Sequence, residues 1–271
     1  MNAEKIENVL AEYLETTAGN YVPPDKALEP GLSGMRIFDD PIVGVCSADD
    51  ELLLSYRDNA EANTYMLMPD EWLPGATSVA SIFLPLSERV RASNRGDGPV
   101  SYEWLHGRIE GQECVIALAT CLAEWLGEAV IPVKDARFKL TRNEDADPTR
   151  KFTSNWSERH VAHAAGLGTF AMPGGVITRK GTAGRLVSIV TTQDIERTPR
   201  DYEGVYDYCI SCGKCVARCP VGAVSEDMRK DAVRCSAQVD VPKKTHGVYY
   251  GCGKCQTAVP CESNAPRSKR P

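Results

Sequence analysis

The sequence contains no run of apolar residues near the roughly 20 that a membrane-spanning helix needs. Its first 15 residues have neither an apolar segment nor a twin-arginine motif, so no secretion signal is predicted. A phosphate-binding P-loop and a Gly-x-Ser-x-Gly nucleophile motif are also absent. These absences argue against a membrane protein, a P-loop nucleotide hydrolase and an α/β-hydrolase, and we expect a cytoplasmic protein.

Histidine is scarce, with four residues, whereas cysteine is abundant, with 11 in a chain of 271 residues. Without a secretion signal, so many cysteines indicate a reducing compartment. Eight of them lie after residue 205, which is unlike a disulfide framework spread along a chain. The hydrophobic content of 42% suffices for a sizeable core. We predict a large domain over residues 1–205 and a small cysteine-rich domain over residues 206–271.

One stretch of the small domain has the spacing of an iron–sulfur motif. Between Cys209 and Pro220 it reads Cys-x2-Cys-x2-Cys-x3-Cys-Pro. This is the bacterial ferredoxin pattern for a 4Fe-4S cluster, because thiolates suit iron and the short spacing offers three sulfurs to one cluster. In proteins with two clusters, the fourth cysteine of the run binds the other cluster.

A second group of cysteines supplies the ligands that the first run leaves missing. Cys235, Cys252, Cys255 and Cys261 bring the total to eight, enough for two clusters. The ligands predicted for the first cluster are Cys209, Cys212, Cys215 and Cys261. The ligands predicted for the second cluster are Cys219, Cys235, Cys252 and Cys255. Four-cysteine zinc sites are the alternative, but their paired Cys-x2-Cys knuckles fit the first run poorly.

Charge is distributed unevenly along the chain. The formal net charge is −6, yet residues 206–271 hold 11 Lys and Arg against six Asp and Glu. A basic cluster domain could steer an acidic partner or tune the cluster potential, although ordinary surface charge is the commoner reason for such an excess. We expect a low-potential electron donor as a partner. Nucleic acid is not expected, because no basic helix or aromatic platform motif is present.

The spacing of apolar residues predicts helices and strands that alternate without clean βαβ units. The predicted helices cover residues 6–14, 49–57, 108–126 and 157–165. The predicted strands cover residues 42–46, 78–84, 129–133, 175–178 and 186–192. Residues 136–151 are predicted to be irregular. Cys46, Cys114 and Cys121 lack ligand spacing and are predicted to pack as small apolar side chains.

Residues 166–171 read Gly-Leu-Gly-Thr-Phe-Ala, which matches the permissive dinucleotide pattern Gly-x-Gly-x-x-Ala. That pattern needs a strand before it and a helix after it, whereas here a helix precedes and Pro173 follows, so a Rossmann site is disfavoured. Such a glycine loop still lets the backbone approach a large flat ligand. His160 and His163 share a helix face, but no nearby carboxylate or cysteine completes a metal site, and packed imidazoles are the commoner arrangement.

Residues 156–170 read Trp-Ser-Glu-Arg-His-Val-Ala-His-Ala-Ala-Gly-Leu-Gly-Thr-Phe. With the eight cysteines, this segment resembles the epoxyqueuosine reductases and their relatives, the reductive dehalogenases. The resemblance implies an α/β (α+β) protein: a nitroreductase-like domain that holds cobalamin, followed by a bacterial-ferredoxin-like domain with two 4Fe-4S clusters. The residues implied to lie at the corrinoid are Trp156, Gly166, Leu167, Gly168, Thr169 and Phe170.

The chain departs from that family at the proton donor. The epoxyqueuosine reductases carry an aspartate before the Glu-Arg pair, and this chain has Phe152 there, beside Thr153 and Ser154. The spacing from Cys255 to Cys261 is longer than usual, and Glu262 replaces the customary proline. We therefore expect a divergent relative whose substrate is not epoxyqueuosine.

Three functions are consistent with these residues. The first is a corrinoid-dependent reductase of a small organic substrate, with Tyr102, Thr153 or Ser154 as the proton donor. The second is an electron carrier or corrinoid-reducing activator that docks a partner such as a corrinoid protein. The third is a reductase with FMN in place of cobalamin, because nitroreductase-like folds often hold FMN.

Overall fold

The structure is a computed structural model that describes residues 1–59, 64–227 and 230–266. Its helices are α1 (Ala3–Thr16), α2 (Glu51–Leu54), α3 (Pro69–Trp72), α4 (Glu88–Ser93), α5 (Tyr102–Arg108), α6 (Glu110–Leu126), α7 (Glu158–Ala164), α8 (Lys214–Ala217), α9 (Ala232–Val239) and α10 (Lys243–His246). Its strands are β1 (Ile42–Ser47), β2 (Ser78–Pro85), β3 (Ala129–Val130), β4 (Leu140–Arg142), β5 (Phe152–Ser154), β6 (Gly168–Phe170), β7 (Val176–Thr178) and β8 (Gly184–Thr191).

An antiparallel sheet in the order β1-β2-β8-β3 forms the centre of the described chain. Every residue of β2 is buried, because helices cover both faces of the sheet. Side chains alternate between the two faces of a strand. Ala80, Ile82 and Leu84 therefore pack with α1 and α6, whereas Val79 packs on the opposite face with Val161 of α7. The result is a three-layer arrangement of helix, sheet and helix, which confirms the predicted mixed α/β class.

Three predicted elements have different limits in the structure. The predicted helix 108–126 begins at Glu110 instead, because Arg108 ends a separate helix, α5, which meets α6 at Ile109. The predicted strand 129–133 ends at Val130, and Pro132, which has no backbone N–H for a sheet, begins a 3₁₀ turn. The predicted helix 49–57 is only one turn long. It starts later than predicted, because Asp50 caps it by accepting hydrogen bonds from the backbone N–H groups of Leu52 and Leu53.

Two small antiparallel pairs lie outside the main sheet. The segment predicted to be irregular contains β4, which pairs with β5. The strands predicted at 175–178 and 186–192 exist, but they do not pair with each other. Instead β7 pairs with β6, a strand that was not predicted because residues 166–171 were read as a glycine loop, and β8 joins the main sheet. Among the helices that the structure describes, none has both the length and the apolar character needed to cross a membrane.

The cysteine-rich segment packs against the loop between α4 and α5. Asn94 is fully buried there and its side chain donates to the carbonyl of Cys252 (2.9 Å). Arg95 pairs with the carboxylate of Glu262 (2.6 Å), next to Cys261. Arg218 reaches back to Asp97 (3.1 Å). These contacts join the segment to the larger part of the chain, while the domain boundary at residue 205 stays a prediction.

Candidate iron–sulfur centre

The cysteine-rich segment contains the same local turn twice. Cys-Gly-Lys-Cys occurs at residues 212–215 and again at residues 252–255. Gly213 (φ +67°) and Gly253 (φ +66°) both adopt the left-handed conformation and start a short helical turn. Glycine reaches this conformation without the Cβ clash that other residues meet. Each turn therefore presents two cysteines on a tightly curved backbone.

One cavity, of about 310 Å³, is lined by all four cysteines predicted for the second cluster. Those four are Cys219, Cys235, Cys252 and Cys255. Trp104 of α5 lines the same cavity, together with Pro220 and Arg185. The fourth cysteine of the first run is thus close to the later group of cysteines, as the crossed arrangement of two-cluster ferredoxins requires.

The other four predicted ligands line a second, smaller cavity of about 20 Å³. Those four are Cys209, Cys212, Cys215 and Cys261, and Cys255 also borders this cavity. Its remaining walls are mainly apolar and include Met172, Ile177 and Val259. Because Cys255 lies between the two cavities, the two predicted cluster sites are neighbours in the fold.

The electrostatics of the cysteines follow the same division. Burial, with smaller contributions from the nearby Cys209, Cys215 and Cys212, raises the pKa of Cys261 to about 12. Burial likewise raises the pKa of Cys252, and the charges that add to this effect are those of Cys235 and Cys219. Buried thiols of this kind become thiolates only when a metal compensates their charge.

The donor set fits iron–sulfur clusters. All eleven cysteines are free thiols in the described part of the chain. In residues 1–59, 64–227 and 230–266, no three His, Cys, Asp or Glu side chains are placed to hold a single metal ion. A 4Fe-4S cluster does not need that arrangement, because each of its cysteines binds a different iron. The eight cysteines stay predicted ligands, brought into two groups of four.

The segment predicted to lie at a corrinoid divides into two parts. Gly166 (φ +81°) and Leu167 line a cavity of about 410 Å³ with Arg179, Thr198 and Tyr208. The next three residues, Gly168, Thr169 and Phe170, form the buried strand β6. A Cβ on Gly168 would lie 1.9 Å from the carbonyl oxygen of Ile177, so close pairing with β7 already requires a glycine there.

Trp156 is a core residue in this structure. It is almost fully buried, donates from Nε1 to Ser188 Oγ (2.9 Å), and packs edge-on against Trp72 at a centroid distance of 5.9 Å. These contacts account for a tryptophan at this position without a ligand. Its predicted role at a cofactor stays a prediction.

The three predicted proton donors lie in two different places. Tyr102 begins α5, and its ring packs edge-on against His246 of α10 at 5.1 Å. Thr153 and Ser154 lie in β5, where the Ser154 hydroxyl donates to the carbonyl of Trp156 (2.6 Å). The structure therefore does not gather the three hydroxyls around one point.

A buried pair beside Phe170 was not predicted. Tyr56 Oη and His163 Nδ1 are 2.7 Å apart, and the His163 ring packs edge-on against Phe170 at 5.6 Å. Burial lowers the pKa of His163 to about 4, so the imidazole is neutral at pH 7. Its Nε2 is buried without a hydrogen-bond partner among the described residues. The three-residue spacing of His160 and His163 was a signal for a shared face, but nothing in the sequence pointed to Tyr56.

Comparison with known proteins adds two findings. Residues 202–225 match the Fer4 family model, which is described as a 4Fe-4S binding domain. Epoxyqueuosine reductase from Gloeobacter violaceus is 31% identical over 122 residues, which cover 41% of this chain and 37% of that protein. Epoxyqueuosine reductase from Bacillus cereus is 26% identical over 208 residues, covering 71% of this chain and 50% of that protein.

The chain is similar in sequence to the epoxyqueuosine reductases. It spans about a third to a half of the length of these curated relatives. The Fer4 match supports a redox protein with iron–sulfur clusters, whereas nothing in these comparisons supports FMN. 

Two solved structures are also similar. One is epoxyqueuosine reductase with a tRNA stem loop, at a TM-score of 0.47 and 21% identity, covering 96% of this chain and 66% of that chain. The other is a catabolic reductive dehalogenase, at a TM-score of 0.49 and 14% identity, covering 97% of this chain and 37% of that chain. At TM-scores below 0.5, neither likeness carries an argument about ligands.

Proposed function

We propose that this protein is a corrinoid-dependent reductase of a small organic substrate, in which two 4Fe-4S clusters deliver electrons to the corrinoid. The observation that carries the proposal is that two adjacent cavities are each lined by one predicted set of four cysteines, with Cys255 bordering both. Similarity to the epoxyqueuosine reductases supports the reductase class. The region before residue 206 is the proposed cofactor domain, and residues 206–271 are the proposed cluster domain.

The chain's own residues have distinct parts in this proposal. Each group of four cysteines would hold one cluster, and Gly166 and Leu167 would lie against the corrinoid. When bound, the clusters supply single electrons and the corrinoid supplies the metal centre that reduces the substrate. The Tyr56–His163 pair holds a neutral imidazole beside Phe170, and its unpartnered Nε2 is a polar atom that a ligand could satisfy. Tyr102, Thr153 and Ser154 stay the proposed proton donors.

The partners follow from the same chemistry. A low-potential, one-electron donor is required to reduce the clusters, and a small organic molecule is the proposed substrate. Nucleic acid is not proposed as a partner, although a tRNA stem loop accompanies one of the similar structures. Binding of a tRNA anticodon stem loop to the purified protein would overturn that part of the proposal.

A second candidate is an electron carrier or activator that reduces a separate corrinoid protein. Phe152 favours it, because the carboxylic acid that serves the related reductases as proton donor is missing there. Thr169 and Phe170 are also buried in a paired strand, so they expose little surface that could contact a bound cofactor. In this case the clusters lose their electrons to a partner protein and no substrate is turned over.

Composition and spectra of one anaerobic sample separate these functions. The protein is purified without oxygen, and iron, sulfide, zinc, cobalt and flavin are measured after incubation with hydroxocobalamin. We expect about eight irons per chain, because two clusters of four irons follow from eight cysteines, together with retained corrinoid whose visible spectrum changes on reduction by dithionite. Iron without retained corrinoid favours the carrier, and zinc in place of iron overturns both.

The ligand assignment has a matched control in a cysteine far from the cavities. Cys261→Ser removes the ligand that follows the unusually long spacing from Cys255, and we expect the iron content to fall from about eight to about four per chain. Cys121→Ser changes a half-buried thiol on α6 and should leave about eight irons. Equal iron contents in both variants would contradict the assignment of Cys261.

A further inference from the structure

The two Cys-Gly-Lys-Cys turns place their lysines in opposite surroundings. Lys214, between Cys212 and Cys215, is exposed to solvent. Lys254, between Cys252 and Cys255, is 5% exposed. The backbone of the two turns is nearly the same, so the difference arises from what packs on each turn.

The hydrogen-bond partners of the Lys254 ammonium are two neutral backbone carbonyls. Its Nζ donates to the carbonyls of Gly96 (2.8 Å) and Asn94 (3.2 Å). In the described residues, no carboxylate lies within ion-pair distance of this ammonium. The nearest acidic side chain in the loop, Asp97, is fully exposed and pairs with Arg218 instead. A buried ammonium held only by carbonyls needs negative charge nearby.

The cavity next to Lys254 adds more positive charge. Among the described residues, its lining includes Arg108, Arg185 and Lys230 and no Asp or Glu. The smaller cavity, lined by Cys209, Cys212, Cys215 and Cys261, has no charged side chain among the described residues of its lining. Positive side chains therefore surround one group of cysteines and not the other, although their local sequences are alike.

Positive charge stabilises the more negative, reduced form of a cluster, and the effect is largest where water does not screen it. We propose that Lys254, together with the cations of the adjacent cavity, makes the cluster held by Cys219, Cys235, Cys252 and Cys255 the more easily reduced of the two. This inference rests on the proposed function, since it requires that both clusters are present. Each cluster takes one electron from a donor that is oxidised by one electron, and the first electron then resides at this cluster.

The matched lysines provide the test. Anaerobic holoprotein is titrated with dithionite while the electron paramagnetic resonance signals of the clusters are followed. A Cys235→Ser variant identifies which signal belongs to the cluster beside Lys254. We expect Lys254→Gln, which can still donate to the two carbonyls, to weaken reduction of that cluster by about tenfold, equivalent to about 59 mV for one electron. Lys214→Gln should change the potential of either cluster by less than about twofold in equilibrium constant.

Lys230→Gln is a second variant, at a half-buried position in the lining of the same cavity. Like Lys254→Gln, it should lower the reduction potential of the cluster held by Cys219, Cys235, Cys252 and Cys255. Two clusters of equal potential, a reversed order, or an effect of Lys214→Gln as large as that of Lys254→Gln would overturn the inference alone. A protein that binds no iron would overturn the proposed function as well.

Discussion

Glu158, at the first position of α7, has a carboxyl group enclosed by the core. Both carboxyl oxygens are buried and lack a well-formed hydrogen bond in the described residues. Burial raises the pKa of Glu158 to about 7, and the neighbouring Ser188 opposes that effect. Ser188 is paired in register with Ser81 on the same face of the sheet, so a small polar region interrupts the apolar core there. A carboxyl in such surroundings is more stable protonated than ionised.

This pKa predicts a pH dependence of stability. The carboxyl is protonated in the folded protein below about pH 7 but ionises near its ordinary value of 4.5 when unfolded. The folded state therefore binds the extra proton, and its stability falls as the pH rises from about 4.5 to 7. Glu158→Gln should abolish this loss, which amounts to up to about 3 kcal/mol. We expect the variant to melt several degrees above the parent at pH 8 and close to it at pH 5, measured anaerobically.

Glu124→Gln, at an exposed position of α6, is the control, and its melting temperature should equal that of the parent protein at both pH values. A Glu158→Gln variant that is equally destabilised at pH 5 and pH 8 would show that the carboxyl is charged and needed in the folded state.

The different burial of Lys214 and Lys254 could not be predicted from the local motif that they share. The cysteine spacing could be read from the sequence because the motif is short and contiguous. The burial of Lys254 could not, because it depends on Asn94 and Gly96, which are about 160 residues earlier in the chain. Trp104 is a comparable case, since it lies against the Gly253 turn although nothing in its own neighbourhood points to a cluster.

At the scale of single elements, the two glycine turns differ in the room around them. A Cβ on Gly253 would lie 2.0 Å from the indole ring of Trp104, whereas the nearest atom to a Cβ on Gly213 is a carboxylate oxygen of Glu226 at 3.8 Å. Both residues have positive φ. Alanine therefore meets the same backbone cost of about 1–2 kcal/mol at both sites but a steric clash only at Gly253.

We expect Gly253→Ala to disrupt the turn between Cys252 and Cys255 and to lower the iron content from about eight to about four per chain. Gly213→Ala should retain most of its iron, because only the backbone conformation is strained. Iron and sulfide analysis of both variants after anaerobic reconstitution measures the difference. Similar losses in the two variants would mean that the conformation, and not contact with Trp104, determines the effect.

The strands illustrate which elements could be predicted. The strands β1, β2 and β8 were found because each contains a run of apolar residues. Strand β6 was missed, since Gly168 has a low strand propensity and is placed there by its close approach to Ile177. The pairing of β7 with β6 depends on that contact, so the hairpin could not be predicted once β6 was read as a loop. At α2, the predicted start at residue 49 was two residues early, because Asp50 makes the capping hydrogen bonds.

At the scale of the whole molecule, one ion pair fixes the end of the cysteine-rich segment. Glu262 has a buried side chain, and its carboxylate accepts from Arg95 Nη2 (2.6 Å) and from the backbone N–H of Ala258 (2.6 Å). The carbonyl of Cys261 accepts from the backbone N–H of Thr182 (2.9 Å). These contacts place Cys261 at its cavity despite its longer spacing from Cys255. The replacement of the customary proline by Glu262 thus has a structural role that the sequence alone did not indicate.

Removal of this pair should loosen the segment without unfolding the sheet. We expect Arg95→Gln and Glu262→Gln each to speed proteolytic cleavage within residues 206–266 by about five- to tenfold, because a charge-assisted pair with one buried partner is worth about 1–1.5 kcal/mol and cleavage follows the population of the open form. The double variant should be cleaved no faster than the more sensitive single variant, since both substitutions remove the same interaction. Glu88→Gln removes the exposed partner of Arg95 and should change the rate by less than about twofold. Multiplicative rates in the double variant would show that Arg95 and Glu262 act separately and that another contact holds Cys261 in place.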